Sequence, residues 1–524
     1  MSLPTFIAAM RRADFYPHHP DAVTLVQTHI SYVLLAGEHV YKVKKPVQFS
    51  FLDFSTTMRR RHFCHEEVRL NRRLAPDVYF GVVGICLDGD RYWLGPEDDA
   101  HVIEPAVHMR RLPAALMLDQ RLQDNLVTPE LLDTIARRLA EFHRTAGAGP
   151  DVTANGEPAA VWRVLEDNFT AERRFRDVTI AARDDDAIQQ FARSFLARHD
   201  DLFRQRQTQQ RIRDGHGDLR AEHICCANGL AIVDCVEFNP RFRYCDVASD
   251  IAFLVMDIED LGYPEHAAVF VDRYATYAAD PGLRRLLPFY CCYRAYVRGK
   301  IDSLKSVEEE VSADEREAAR RGAIRHFALA YRYMWAANPS LVTVSGLSGS
   351  GKSAIAAALQ VRTGFVHINS DVVRRHLAGA AAATASRAGY EAGLYTPAFS
   401  QRTYNTMLDE AAQHLAAGRG VILDATFQRR EDRDAARALA RQHAVPFVVT
   451  ECQCHEIEIR RRLTERAQRA DSPSDADWAI YLEQRQCYAP FAADEDADHV
   501  QLDTAEPIAD CVARVEDELR RCTQ

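Results

Sequence analysis

The sequence has 524 residues, a length that exceeds what one hydrophobic core supports and that predicts two to four domains. Hydrophobic residues make up 47% and charged residues 27% of the chain, and the net charge of -10 excludes a global basic field for duplex nucleic acid. No apolar run reaches the roughly 18 residues of a membrane span and no secretory cleavage pattern is present, so we expect a cytoplasmic protein with reduced cysteines.

The first part of the chain mixes short strands with helices. Short β segments are predicted over 23–45, a helix over 57–74, and further strands over 79–112. An amphipathic helix follows over 129–145. The remaining predicted segments are a helix over 186–207, a β-rich patch over 211–238 and a helix-rich region over 246–335.

Two carboxylates in the β-rich patch have the placement that phosphoryl transfer requires. Asp218 lies in the run HGDLRAEH, and Asp234 ends the short run IVD. One carboxylate would accept the proton of a hydroxyl group while the other holds Mg²⁺. Upstream, a strand residue, Lys42, paired with a helix residue, Glu67, would grip the α- and β-phosphates of ATP. Taken singly, both are also compatible with surface charges, and Lys44 on the same strand face is an alternative to Lys42.

In this order the residues resemble the aminoglycoside phosphotransferase group, which has a bilobal protein-kinase-like fold. The resemblance covers about 25–300 and is clearest over 214–251, where Asp246 and Asp250 match the helix after the metal-binding aspartate. It implies that Asp218 is the catalytic base and that Asp234 binds the metal.

The chain departs from that group at two points. The group has asparagine five residues after the catalytic aspartate, whereas this chain has His223, which we assign to the metal with Glu237 or Asn239 as alternative ligands. No clear glycine-rich loop precedes Lys42. The domain is therefore interpreted either as a modified kinase or as a nucleotide-binding pseudokinase.

A second domain is predicted to begin near residue 337, after the breaker AANPS, which gives domains of 1–336 and 337–524. Strands separated by helical stretches indicate βαβ units and a doubly wound parallel sheet. The predicted strands are 341–346, 365–368, 420–425, 446–451 and 499–502.

A phosphate-binding loop with the pattern Gly-x4-Gly-Lys-Ser lies between the first of these strands and a helix. Its glycines allow the backbone to wrap around phosphate oxygens, its lysine reaches the β- and γ-phosphates, and its serine hydroxyl ligates Mg²⁺. We assign ATP binding to Gly346, Ser348, Gly349, Ser350, Gly351, Lys352 and Ser353.

Polar residues follow two other strands of this domain. Asp424 ends a buried run, as a Mg²⁺-binding Walker-B carboxylate does, although a helix cap or a turn is an alternative. Asp371 could accept the proton of an acceptor hydroxyl and Arg374 could clamp a phosphoryl group. The alternative is that Ser370 or Asp371 only caps a helix.

A basic run over 460–469 places Arg462 and Arg466 on one helix face. It predicts a lid that neutralises charge during transfer, with a merely solvated helix face as the alternative. Together with the loop, Asp371 and Asp424, this run resembles the small P-loop kinases grouped with phage polynucleotide kinase, zeta toxins, chloramphenicol phosphotransferase and gluconate kinase. The resemblance spans about 341–505 and implies that Asp371 activates the acceptor and that Arg462 or Arg466 acts from a lid.

The favoured hypothesis is an ATP- and Mg²⁺-dependent kinase that phosphorylates a hydroxyl of an unidentified small molecule, possibly with two active sites. One alternative is a kinase of nucleic-acid 5′-hydroxyls, although few aromatic residues accompany the basic run. The other is a non-enzymatic ATP-dependent switch. No membrane partner is expected.

Overall fold

An antiparallel sheet of six strands forms the first part of the N-terminal unit, Met1–Phe327. The strand order is β1-β2-β3-β8-β6-β7. A two-stranded hairpin, β4 and β5, follows β3. The strands are β1 (Val23–Gln27), β2 (Ser31–Ala36), β3 (His39–Lys44), β4 (Gln48–Phe49), β5 (Leu52–Asp53), β6 (Tyr79–Asp88), β7 (Arg91–Gly95) and β8 (Val102–Arg110).

The helices of this unit follow the hydrophobic pattern of the sequence. The helix at 129–145 buries one face through Leu132, Ile135, Leu139 and Phe142, as its spacing predicts. The helices are α1 (Thr5–Met10), α2 (Thr57–Asn71), α3 (Leu118–Gln123), α4 (Pro129–Thr145), α5 (Pro150–Thr153), α6 (Pro158–Glu172), α7 (Ala182–Arg198), α8 (Asp200–Thr208), α9 (Val247–Asp260), α10 (Pro264–Ala278), α11 (Leu283–Lys305) and α12 (Ala313–Ala336).

Between α8 and α9 the chain forms only short strands. β9 (Ile212–Asp214) pairs with β12 (Tyr244–Asp246), and β10 (Ile224–Cys225) pairs with β11 (Ala231–Ile232). This segment carries Asp218, His223 and Asp234, so the candidate chemistry of the unit lies in turns between these strands.

The second unit, Ala328–Gln524, contains a five-stranded parallel sheet of order β14-β15-β13-β16-β17. Its central strands are buried along almost their whole length, which explains why they read as continuous apolar runs. The strands are β13 (Leu341–Ser345), β14 (Val366–Asn369), β15 (Val421–Asp424), β16 (Phe447–Gln453) and β17 (His499–Asp503).

Helices alternate with these strands, as in a doubly wound fold. They are α13 (Lys352–Thr363), α14 (Ser370–Ala378), α15 (Pro397–Ala416), α16 (Arg430–Gln442), α17 (Glu456–Ala467), α18 (Trp478–Cys487) and α19 (Ile508–Thr523).

The computed structural model describes residues 3–49, 51–227, 229–309, 311–378, 396–467 and 478–523. The division between the units falls within α12, at 327–328, and therefore earlier than the predicted position near 337. Across the described residues, no helix combines the length and apolarity needed to cross a bilayer.

Candidate functional site

In the N-terminal unit, two lysines on β3 share one buried glutamate on α2. The Nζ atom of Lys42 lies 2.9 Å from Oε1 of Glu67, and Lys44 donates to Oε2 of the same residue at 2.7 Å. Lys42 also donates to Oδ1 of Asp234 at 2.7 Å, whereas Lys44 contacts Glu237. Burial opposes the charge on both lysines, but the surrounding carboxylates raise both pKa values, so both remain protonated. Both of the candidate lysines thus reach Glu67.

Asp218, His223 and Asp234 form a cluster whose ligand atoms all lie within 4.8 Å of one another. Nε2 of His223 is 3.7 Å from Asp234 Oδ2, and Nδ1 is 3.8 Å from Asp218 Oδ2. Burial opposes ionisation of Asp218, but Arg220 and His223 lower its pKa to about 2, so it is a carboxylate at neutral pH. Lys42 is the main cause that holds the pKa of Asp234 well below its usual range. Two carboxylates and one imidazole fit a divalent cation.

A buried carboxylate, that of Asp250, holds the backbone just before Asp218 by hydrogen bonds. Asp250 accepts hydrogen bonds from the backbone N–H groups of His216, at 2.6 Å, and Gly217, at 2.8 Å. His143 contacts Asp250 at 3.2 Å through Nε2. This arrangement orients the turn that presents the Asp218 side chain, which is 28% exposed.

The alternative metal ligands are engaged elsewhere. Glu237 pairs with Lys44, and the amide of Asn239 donates to the carbonyl of Phe51 at 3.3 Å. The turn between β1 and β2 consists of Thr28, His29 and Ile30, so the segment before Lys42 has no glycine-rich loop there.

In the C-terminal unit, the phosphate-binding loop connects β13 to α13, the position that the sequence predicts. Gly346, Gly349 and Gly351 have φ values of 144°, 81° and 91°. A Cβ atom on Gly346 would lie 2.5 Å from Ser350 Oγ and 2.6 Å from the carbonyl oxygen of Cys452. Only glycine permits this close approach, and the resulting concave backbone fits phosphate oxygens. Lys352 and Ser353 begin α13 directly after the loop.

Asp424 ends β15 and is fully buried. Its Oδ2 atom accepts a hydrogen bond from the Asn369 amide at 2.6 Å and lies 3.2 Å from His367 Nε2. Burial alone would raise the pKa of Asp424, but His367, Lys352 and Ser353 lower it, so the group is a carboxylate beside the loop. It does not cap a helix, because α16 begins only at Arg430. The Asp424 carboxylate with the Ser353 hydroxyl is a donor set that fits Mg²⁺.

Asp371 lies in the first turn of α14 with its side chain 24% exposed. The helix start is capped by Asn369, whose Oδ1 accepts from the N–H groups of Asp371, at 2.9 Å, and Val372, at 3.2 Å. The Asp371 carboxylate is therefore not needed as the cap. Arg374 lies 3.6 Å from it and is largely buried.

The candidate lid begins with α17, which packs on the loop. A Cβ atom on Gly349 would meet Ile459 and Leu463 of this helix, both at 3.0 Å. Arg462 bonds Glu458 at 2.8 Å and Thr504 at 3.0 Å and 2.8 Å, and Arg461 also pairs with Glu458. These ion pairs neutralise Arg461 and Arg462 within the basic run. The side chain of Arg466 lies outside the described residues.

Contacts from distant segments complete this site and were missed from the sequence. Ser348 donates its backbone N–H to the side-chain oxygen of Gln484 at 2.9 Å, and Thr504 donates to the carbonyl of Ser350 at 2.5 Å. Neither residue belongs to a motif, so the sequence carries no signal for them. The capping role of Asn369 could have been predicted from the sequence, because asparagine is a favoured N-cap residue and Asn369 directly precedes α14.

Two known families match the chain. Residues 38–289 match the family described as phosphotransferase enzyme family, and residues 341–491 match one described as AAA domain. Uncharacterized proteins of Mycobacterium tuberculosis and Mycobacterium bovis are 33% identical over 482 residues, which cover 92% of this chain and 92% of each relative.

Solved structures with low similarity are also found. A sugar kinase from Janibacter sp. HTCC2649 is 20% identical, covers 35% of this chain and 95% of its own, and has a TM-score of 0.28. A gluconokinase from Sinorhizobium meliloti 1021 is 18% identical, with 35% and 93% coverage and a TM-score of 0.27. The APS kinase CysC of Mycobacterium tuberculosis is 18% identical, with 35% and 98% coverage and a TM-score of 0.26.

Proposed function

Because this chain belongs to one family with the mycobacterial relatives and joins a phosphotransferase-family domain to a P-loop kinase-like domain, we propose that it transfers the γ-phosphate of ATP to a hydroxyl group of a small-molecule acceptor.

One observation carries the proposal for the C-terminal unit. The neighbouring parallel strands β14, β15 and β13 all end at one edge of the sheet, where Asn369, Asp424 and Val344 are in register. Their carboxyl ends therefore carry the phosphate cradle, the Asp424 carboxylate and the start of the helix with Asp371 side by side. An enzyme that only hydrolyses ATP does not need a carboxylate such as Asp371 to activate an acceptor hydroxyl.

Each side chain then has a role that its surroundings support. The loop amides and Lys352 bind phosphates, and Asp371, partly exposed and not needed as a cap, accepts the proton of the acceptor hydroxyl. Arg374, 3.6 Å from Asp371, would bind a negatively charged group of the acceptor or the transferred phosphoryl group. When bound at Ser353 and Asp424, Mg²⁺ would supply neutralisation of phosphate charge.

The N-terminal unit is proposed as a second transfer site. Asp218 is ionised and partly exposed, as a base that accepts a hydroxyl proton must be. Lys42 would bind phosphate, and His223 with Asp234 would hold a divalent cation. The intact set of Lys42, Glu67, Asp218 and Asp234 favours an active site over a pseudokinase.

The two alternative functions receive less support. A nucleic-acid kinase needs an unneutralised basic track, but Arg461 and Arg462 pair with Glu458. A regulatory switch would turn over ATP without any phosphorylated product.

The test compares two variants of the full chain in a screen with labelled ATP against sugars, polyols, aminoglycosides and short oligonucleotides. Asp371→Asn should lower transfer by about 100-fold or more while ATP affinity changes less than about threefold, because only the base is lost. Lys352→Ala should weaken both phosphoryl transfer and ATP affinity. Each variant is also made in an Asp218→Asn background, so that N-terminal transfer does not mask the effect.

The matched control is Asp409→Asn, which removes an exposed carboxylate from α15 and should leave transfer unchanged. Full transfer by Asp371→Asn would remove its role as base. ATP hydrolysis with no labelled product across the panel would favour the switch.

A further inference from the structure

A cavity of about 310 Å³ lies in the N-terminal unit, away from Asp218, between α4, α10 and the segment that leads into β9. Its lining is rich in arginine. The arginine and acidic residues that line it are Arg137, Glu141, Arg144, Arg211 and Arg213, and His143 also lines it.

Three of these guanidinium groups have no carboxylate partner among the described residues. Arg211 donates only to the backbone carbonyls of Ala278, at 3.0 Å, and Ala279, at 2.9 Å. Arg213 donates to the carbonyl of Ala146 at 3.2 Å. Within the described part of the chain, no carboxylate comes within ion-pair distance of Arg144, Arg211 or Arg213.

In the part of the chain that the structure describes, the two carboxylates next to the cavity leave three of its four arginines without a counter-ion. Of these arginines, Asp133 neutralises only Arg137, at 2.7 Å, whereas Asp214, the residue after Arg213, pairs outside the cavity with Arg243 at 2.7 Å. Among the described residues, Glu141 is the one acidic residue in the lining. The cavity therefore has an excess of positive charge.

The hydrogen bonds and charges around Arg211 and Arg213 leave both guanidinium groups incompletely compensated. Nε of Arg211 is buried and has no hydrogen-bond partner in the described residues. Burial and the nearby charge of Arg211 both lower the pKa of Arg213, a sign of two like charges held together without a counter-ion. An anion would satisfy both groups, and guanidinium forks match the oxygens of a phosphate group.

We propose that this cavity binds a small phosphate-bearing molecule at a site separate from both transfer sites. A chain of hydrogen bonds links its wall to the turn before Asp218. Tyr274 bonds His143 at 2.8 Å, His143 contacts Asp250, and Asp250 holds the backbone before Asp218. A molecule bound in the cavity would therefore restrict the position of the turn before Asp218 through these hydrogen bonds.

The test uses the full-length protein with inorganic phosphate or pyrophosphate, and reads hydrogen–deuterium exchange of peptides by mass spectrometry. Phosphate should slow exchange in peptides that cover 137–146 and 209–214. Peptides over 346–353 report the phosphate-binding loop in the same sample and serve as an internal reference. Sodium chloride at equal ionic strength should slow neither cavity peptide.

The double variant Arg211→Gln, Arg213→Gln should need at least about tenfold more phosphate for the same slowing, while 346–353 responds as before. Arg285→Gln, which removes an exposed arginine from α11, should behave like the wild type. If the double variant does not fold, the exposed Arg144→Gln decides, with an expected weakening of about threefold or more.

The proposal is overturned if phosphate slows exchange at 346–353 but not at the cavity. It is also overturned if sodium chloride has the same effect or if the slowing persists in the arginine variants. These outcomes do not depend on catalytic activity.

Discussion

Lys42 and Lys44 lie two residues apart on β3 and contact the same glutamate, yet their surroundings differ. The Lys42 side chain is 14% exposed and faces Asp234, whereas Lys44 is fully enclosed between Glu67 and Glu237. From this difference we infer that Lys42 binds ligand and that Lys44 has a structural role.

We predict that Lys44→Met mainly lowers stability, whereas Lys42→Met mainly weakens ATP binding. Lys44→Met leaves two buried glutamates short of a counter-ion and should lower the free energy of unfolding by about 3–5 kcal/mol. Lys42→Met should cost less stability, because Lys44 still pairs with Glu67, but should weaken ATP binding at the N-terminal site. Urea unfolding and ATP titration of the full chain in a Lys352→Ala background measure both effects.

Equal loss of stability in the two variants would contradict this division of roles. From the sequence alone the two lysines could not be separated, because residues two apart on a strand share a face. The placement of Asp234 beside Lys42 and of Glu237 beside Lys44, both nearly 200 positions away in the chain, distinguishes them.

At the scale of elements, α18 places one side chain on the phosphate-binding loop. Gln484 is buried and its oxygen accepts the Ser348 N–H, while Gln486 on the same helix is exposed. The helix thus offers a matched pair of positions for adding a charge.

Gln484→Glu should weaken ATP binding to the C-terminal unit by roughly tenfold or more, because it adds a negative charge beside a triphosphate site. Gln486→Glu makes the same chemical change in solvent and should shift the affinity less than about twofold. Titration with an ATP analogue in an Asp218→Asn, Lys42→Met background isolates this site. Similar affinities in both variants would show that Gln484 is remote from the nucleotide.

Elements were predictable where burial alone determines them. The central strands β13 and β15 are buried apolar runs, and the sequence predicts them to within one or two residues at each end, as it predicts α4 from its apolar stripe. The predicted helix over 186–207 is instead two helices, α7 and α8, joined at His199, whose φ of -115° departs from helical geometry. The patch at 211–238 contains little strand because side-chain hydrogen bonds, invisible to periodicity, hold its turns.

At the scale of the whole molecule, we propose that the C-terminal domain starts before residue 337. Tyr331 and Trp335 are each 1% exposed, and both lie in the second unit. The Tyr331 hydroxyl accepts from Arg520 at 2.9 Å, and Trp335 packs edge-on against Phe365. On this proposal, the breaker that follows them in the sequence marks the end of α12 and not the edge of the domain.

Two fragments test this boundary. A fragment of residues 328–524 keeps both aromatic residues, whereas one of 337–524 lacks them and should unfold with a free energy lower by about 3–5 kcal/mol or more. A fragment of 320–524 is the control and should be within about 1 kcal/mol of the 328–524 fragment. Identical urea midpoints for 328–524 and 337–524 would show that residues 328–336 do not stabilise the domain, and would support a boundary at 337.

The amide of Asn369 has two tasks that cannot be performed independently. Its oxygen starts α14, the helix of the proposed base, and its nitrogen holds the carboxylate proposed to face the metal. Because both atoms belong to one rigid plane, a rotation that served one neighbour would abandon the other. The proposed base and the carboxylate proposed to face the metal are therefore positioned by one side-chain amide, so that a rotation of that amide would disturb both together.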